Sequence, residues 1–326
     1  MLVPVLLFLL GFVLLIKGGD WFVDGAVALA HRFHLPELLI GATVVSIGTT
    51  LPEVMVSVQA AAQGNAGISY GNAIGSIICN TSLIAALTVA IRPGPVNRSA
   101  LKLPVAAFFL AAALYVGFAY TAHRFFRWNG LLFLVLFVVY IVLTVRQMRA
   151  HPETVEAEAE EESDGGKEPT ALWQQLLLLV AGAAAIALGA NLLVNNGTLI
   201  AQALGVPDSV IGLTMVALGT SLPELITAIT SLAKGHGALS LGNVIGANLF
   251  NIVLVSGAAI SISPFSIPTE KLLAGQNASL LVDIPVMLCV MLLLCVPALL
   301  KGRLSRWQGV VLLCMYAGFT VFQFLT

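Results

Sequence analysis

Two glutamates stand where a stretch that dissolves in lipid should hold none. Glu53 closes the run SIGTTLPE (46–53) and Glu224 closes ALGTSLPE (217–224), each inside a long apolar segment, 35–62 and 206–233. A carboxylate at the centre of a bilayer costs roughly 2.5–3.5 kcal/mol on insertion scales, so each requires a compensating cation or proton. The residue before each glutamate is Pro, which removes a backbone donor, while Gly48 and Gly219 tolerate irregular backbone. Carbonyls should therefore be released at Ser46 to Thr49 and at Ala217 to Thr220, where only protein, water or an ion could meet them. The hydroxyls of Thr49, Thr50, Thr220 and Ser221 add hard oxygen donors, as do Ser76 and Asn80 downstream of the first run and Asn251 downstream of the second. Such an all-oxygen set suits Ca²⁺, which takes about six to eight oxygens, and Na⁺ could use subsets of it. Soft or imidazole ligation is disfavoured: His31, His34, His123, His151 and His236 fall in loops or at helix ends. Cys79, Cys289, Cys295 and Cys314 read as small apolar core residues.

The elements that position these groups follow from composition. With 59% hydrophobic and 10% charged residues and a mean hydropathy of +0.98, the 326-residue chain repeats apolar runs of spanning length and is not an ordinary soluble protein. Ten helices are expected, at about 2–30, 36–63, 68–91, 101–120, 129–148, 171–203, 207–233, 239–262, 280–300 and 307–325. The run 2–16 has no basic residue before it and reads as the first spanning helix, not a cleaved signal. Eight of the sixteen acids gather between Glu153 and Glu168, a solvated tether with too few apolar residues to pack. With the N-terminus outside, the inner loops collect eleven Lys and Arg and the outer loops three, a positive-inside bias. Both termini are then outside and the acidic linker is cytoplasmic.

The two halves match at a constant offset of 171 positions. Gly18 aligns with Gly189, Pro36 with Pro207, Gly41 with Gly212, Gly48 with Gly219, Glu53 with Glu224, Asn72 with Asn243, Gly75 with Gly246 and Asn80 with Asn251. Five helices per half is an odd number, so the second copy enters the membrane from the opposite side. Inverted repeats of this kind place substrate near the midplane, where broken helices meet. The expected fold is an all-α polytopic membrane protein of ten transmembrane helices in two inverted five-helix repeats: 1–148, the linker 149–170, and 171–326. The four-spaced glycines of GNAIG and GNVIG suggest close helix packing and approach to the site.

The paired motifs GTTLPE with GNAIGSIICN, and GTSLPE with GNVIGANLFN, run in one order over the whole chain. In this the sequence resembles the cation/calcium exchangers, specifically the prokaryotic sodium/calcium exchanger branch. The resemblance implies that Glu53 and Glu224 are shared Ca²⁺ ligands. It gives Thr49, Thr50, Thr220 and Ser221 hydroxyl or carbonyl contacts to Na⁺ and Ca²⁺, makes Ser76 a Na⁺ ligand, and sets Asn80 and Asn251 beside the central position. It also implies that helices 1 and 6 slide against the rest. Asn251 stands where sodium-coupled members carry Asp, and Ala247 where they carry Ser; the first change removes a titratable group and the second a Na⁺ ligand.

The function expected is therefore secondary antiport of Ca²⁺ against Na⁺ by alternating access, with Ca²⁺/H⁺ antiport as the alternative and an uncoupled cation channel as a further one. No enzyme chemistry, cofactor or nucleic-acid partner is implied. The transported ions and the lipid bilayer are the partners, the chain closes its site from its own two halves as a monomer, and the location expected is the plasma (inner) membrane of a prokaryote.

Overall fold

A computed structural model of the chain describes residues 2–33, 35–150, 171–204, 217–269, 272–273 and 275–325. The core of the acidic linker and the start of the expected seventh helix, with Pro207 and Gly212, lie outside the described residues. Helices run α1 Leu2–Arg32, α2 Glu37–Ala62, α3 Ala66–Ile91, α4 Arg98–Ala122 and α5 Arg127–Ala150 in the first half. The second half holds α6 Leu172–Ala203, α7 in two pieces (Ala217–Thr220 and Leu222–Ala233), α8 Gly237–Ile262, α9 Ser279–Lys301 and α10 Arg306–Leu325. Eight of the described helices are long and apolar enough to cross a membrane, and Leu222–Ala233 of α7 is a shorter apolar helix.

Lipid exposure explains the composition. Along α5, Leu131, Val135, Val138 and Val142 are all exposed at spacings of four, three and four, one face of a helix. The opposite face buries Phe133, Tyr140 and Thr144. Such a stripe of large apolar side chains would drive association in water but is at home against acyl chains.

The repeat survives residue by residue. The third helix of each half departs from α geometry through one wide π turn, at Asn80–Ala85 and again at Asn251–Ser256, 171 positions on. The straight segments before them, Ala66–Cys79 and Gly237–Phe250, keep the same offset. After the third helix the register moves. The connection spans 92–97 in the first half but 263–278 in the second, where it carries a hairpin of β2 (Leu272–Leu273) and β3 (Gln276–Asn277). From there the N-terminal amide acceptors of α5 and α10 match at 179 positions: Asn129 Oδ1 accepts from the Phe126 amide and Gln308 Oε1 from the Ser305 amide.

Loop contacts give the directions. Arg92, after α3, donates to the Leu232 carbonyl at the end of α7. Strand β1 (Gly94–Pro95), beyond α3, pairs with β4 (Arg303–Leu304), beyond α9. At the other end, Phe125 between α4 and α5 pairs with Phe265 beyond α8, and the Tyr120 hydroxyl at the end of α4 donates to the Leu280 carbonyl at the start of α9. Thus α3 ends where α8 begins, and the halves are inverted. The first helices agree: α1 and α6 lie antiparallel with backbone against backbone, Gly11 on Gly189 and Gly18 on Gly182. Exchanging the halves turns the first of these contacts into the second.

The apolar core falls into two parts. The larger joins α3, α4, α8 and α9 with Tyr115, Phe133 and Phe250. The smaller holds Leu15, Phe22 and Val23 of α1 against Ile186 and Ala190 of α6, resting on Ile40 and Val45 of α2.

Candidate functional site

Helix α2 carries its own wide turn at Gly41–Val45, just before the first motif. Carbonyls displaced there are met from elsewhere: Ser46 Oγ donates to the Gly41 carbonyl at 2.7 Å and Tyr140 OH to the Ala42 carbonyl at 3.0 Å. The motif itself, expected to be irregular, runs as continuous helix Ser46–Ala62 through Pro52. The partial correction has a physical reason: neighbours that take up free carbonyls let the helix carry a proline. The second motif does break, at Ser221, with φ −91° and ψ 4° between the two pieces of α7. In both, Pro52 and Pro223 offer no N–H to the carbonyls of Gly48 and Gly219.

Glu53, Glu224, Asn80 and Asn251 are each 0% exposed. Each asparagine is the first residue of its wide turn. The two glutamates lie close enough to repel one another, and Cys79, just ahead of Asn80, faces both of them and Ser221. Thr50, Glu53, Asn80, Ser221, Glu224 and Asn251 all keep their side-chain polar atoms buried without a hydrogen-bond partner among the described residues. Leaving one buried polar group unpaired costs about 1–3 kcal/mol, more for a charge. These six residues form three repeat-related pairs, so the unmet demand is itself two-fold symmetric. Together they present eight side-chain oxygens, of which four are carboxylate, a donor set that fits Ca²⁺ in number and hardness.

The remaining sequence-derived positions divide. Thr49 stands beside Glu224 but donates its proton to Asn243 Oδ1 at 3.1 Å. Ser46 also faces Asn243, with its hydroxyl 2.9 Å from the backbone carbonyl. Ser76 is buried on α3 one turn before Asn80. Thr220, the mate of Thr49, is half-buried and lines a cavity of about 880 Å³ between α2, α6 and α7, alongside Gly48, Pro52, Gly219 and Pro223. Ala217 opens the short first piece of α7. Of the four-spaced glycines, Gly242 and Gly246 pack as expected: a Cβ at Gly246 would strike Ser46 Oγ and Ala42, and one at Gly242 the Leu38 carbonyl. A Cβ at Gly71 or Gly75 would meet no atom of the described residues within 4 Å; the positions that symmetry sets opposite them fall mostly within 205–216, outside the described residues.

Sequence reasoning missed three things. Asn243 organises Ser46 and Thr49, while its mate Asn72 donates to the Glu53 carbonyl at 3.1 Å and to Ser57 Oγ at 2.8 Å. The signal available was that both asparagines follow the first glycine of their motifs. Lys234 lies 3.3 Å from Asp20 and 2.9 Å from Asp24, tying the α7–α8 turn to α1. Buried Glu37 receives His236 Nδ1 at 2.6 Å.

The chain is similar to known proteins along most of their length. The chain is 33% identical to the sodium/calcium exchanger MaX1 of Methanosarcina acetivorans, with 98% of each covered. It is 36% identical to the inner membrane protein YrbG of Escherichia coli, with 87% of each covered. Its fold matches the sodium-calcium exchanger NCX_Mj soaked with 10 mM Na⁺ and 10 mM Sr²⁺ at a TM-score of 0.79, 32% identity and 97% coverage of both chains. The profile described as sodium/calcium exchanger protein covers residues 3–146 and 174–325, spanning both halves and both glutamates, and the chain belongs to that family.

Proposed function

We propose that this integral, multi-pass membrane exchanger moves Ca²⁺ against Na⁺ by alternating access, with both ions bound between the repeats. The observation that carries this reading is the two-fold set of buried, unpartnered oxygens on Thr50, Glu53, Asn80 and their mates Ser221, Glu224 and Asn251. One Ca²⁺ balances two glutamates, and Na⁺ ions occupying subsets of the same oxygens would compete with it. Thr49, Thr220, Ser76 and the backbone of Ser46 and Ala217 complete the ligand set. The names of MaX1 and NCX_Mj support the choice of ions.

The repeats take residues 1–148 and 171–326, joined by a cytoplasmic acidic linker at 149–170, with both termini outside in a prokaryotic inner membrane. The separate apolar cluster of α1 and α6 supports motion of that pair over the remaining helices. An empty site with two uncompensated carboxylates crosses poorly, which enforces coupling. The chain is a family transporter and not an enzyme, and its site is made from one chain.

The test is ⁴⁵Ca²⁺ uptake into proteoliposomes loaded with Na⁺ or given an acidic interior, with Glu53→Gln and Glu224→Gln as controls. Uptake driven by Na⁺ supports the proposal. Uptake driven only by the proton gradient assigns H⁺ as the coupling ion, and flux without any counter-ion would make the protein a channel.

A further inference from the structure

Hydroxyls inside these helices follow a rule with a few exceptions. Thr43, Thr81, Ser82, Thr144 and Ser261 each donate to the carbonyl four residues earlier, the usual way for a helix to silence a buried hydroxyl. Outside the central site, Thr227, Ser231 and Ser240 do not: all three are 0–1% exposed and have no hydrogen-bond partner among the described residues. Thr227 and Ser231 lie three and seven residues beyond Glu224, on its face of α7. They run about 10 Å from the carboxylate toward the α7–α8 turn. Ser240 belongs to the first turn of α8, which folds back on α7 so that the His236 amide donates to the Ser231 carbonyl at 2.7 Å. The row has no counterpart in the first half, where Val56 and Ala60 take the positions of Thr227 and Ser231. The mate of Ser240, Ser69, is also buried and unpartnered, but no row leads to it.

We propose that Thr227, Ser231 and Ser240 form a transient cation station on a passage between Glu224 and the α7–α8 turn. The inference rests on the exchange reading above. Three neutral hydroxyls offer hard oxygens without charge, so the occupant they suit is a partly hydrated monovalent cation, Na⁺, and not a divalent ion, which would lack carboxylate compensation. The stretch of α7 beyond Glu224 carries two of these oxygens, whereas Val56 and Ala60 at the matching positions of α2 are apolar.

Two experiments test it on the full chain. In proteoliposomes of uniform orientation, half-saturating Na⁺ is measured with Na⁺ varied on one side at a time. Thr227→Val with Ser231→Ala installs the first half's residues. It should raise the value on the α7–α8 side about five-fold, the equivalent of one lost hydroxyl contact, and leave the opposite side and the half-saturating Ca²⁺ unchanged. Thr227→Ser and Ser69→Ala should match the unaltered protein. Equal shifts on both sides, no shift, or a lowered melting temperature without a sided effect would overturn the station. Independently of any exchange, Ser231→Cys should react with a small cationic thiol reagent added from that side, beyond the labelling of the parent's own cysteines, and Na⁺ should slow the reaction. Absence of that extra labelling overturns the passage even if the parent exchanges normally, while a parent without Na⁺-dependent Ca²⁺ flux defeats the exchange reading alone.

Discussion

Thr49 Oγ1 donates to Asn243 Oδ1 at 3.1 Å, so the first half's ion motif hangs from a side chain of the second half. Asn243→Ala should therefore weaken the site without touching an ion. A net loss of about 1–1.5 kcal/mol for the hydrogen bond corresponds to roughly ten-fold weaker Ca²⁺ half-saturation. Isothermal titration in detergent measures it, and an unchanged affinity would make Asn243 a packing residue only.

Neutralising either glutamate should separate stability from function. Glu53→Gln or Glu224→Gln removes a buried charge that has no protein partner. In Ca²⁺-free buffer each variant should melt above the parent, because one of two like charges held close together away from water is removed, even though the replacing amide is itself unpaired. Added Ca²⁺ should raise the melting temperature of the parent and leave the variants where they are.

The Lys234 clamp has an uncharged image. Asp20, Asp24 and Lys234 correspond to Asn191, Asn195 and Gln63 in the other half, where Asn195 simply donates to Asn191 at 2.9 Å. The partners of Lys234 are part-exposed, so each bridge is worth about 0.2–1 kcal/mol. Lys234→Gln loses both bridges and should shift the balance between the two proposed access states by about two- to thirty-fold away from the conformation described here. Spin-label distances between α1 and α8 should register the shift, with ion affinity at the central site preserved.

Close approach of α1 and α6 depends on glycine. A Cβ at Gly18 would sit 2.8 Å from the Ile186 amide nitrogen and 2.9 Å from Ala185 Cβ, and one at Gly182 would strike the Phe22 backbone. Gly18→Ala and Gly182→Ala should each lower stability by about 1–3 kcal/mol and slow exchange. Gly117→Ala on α4, with no atom within 4 Å, should change neither beyond about 0.5 kcal/mol.

Much of this was readable in the amino-acid order. Helix ends come within a few residues of hydropathy and charge because lipid leaves few alternatives to a helix, and Glu53, Asn80 and their mates stand out through the constant offset. The wide turns were not readable: the one at Gly41–Val45 is sustained by Tyr140, almost a hundred positions away. Nor was the unequal fate of Thr49, which is buried, and Thr220, which is half-buried at a cavity. A repeat specifies equivalent residues, but the partners that surround them in one conformation need not be equivalent.

The wide turns at Asn80 and Asn251 also constrain how such a gene can change. Each holds one residue more than a regular turn, so deleting a single codon there would restore ordinary geometry. It would also close the backbone bonds that the wide turn leaves open and remove the local geometry that each asparagine begins. Length variation should be purged from these segments in both copies. The two halves differ in length instead in the connection, 92–97 in the first and 263–278 in the second.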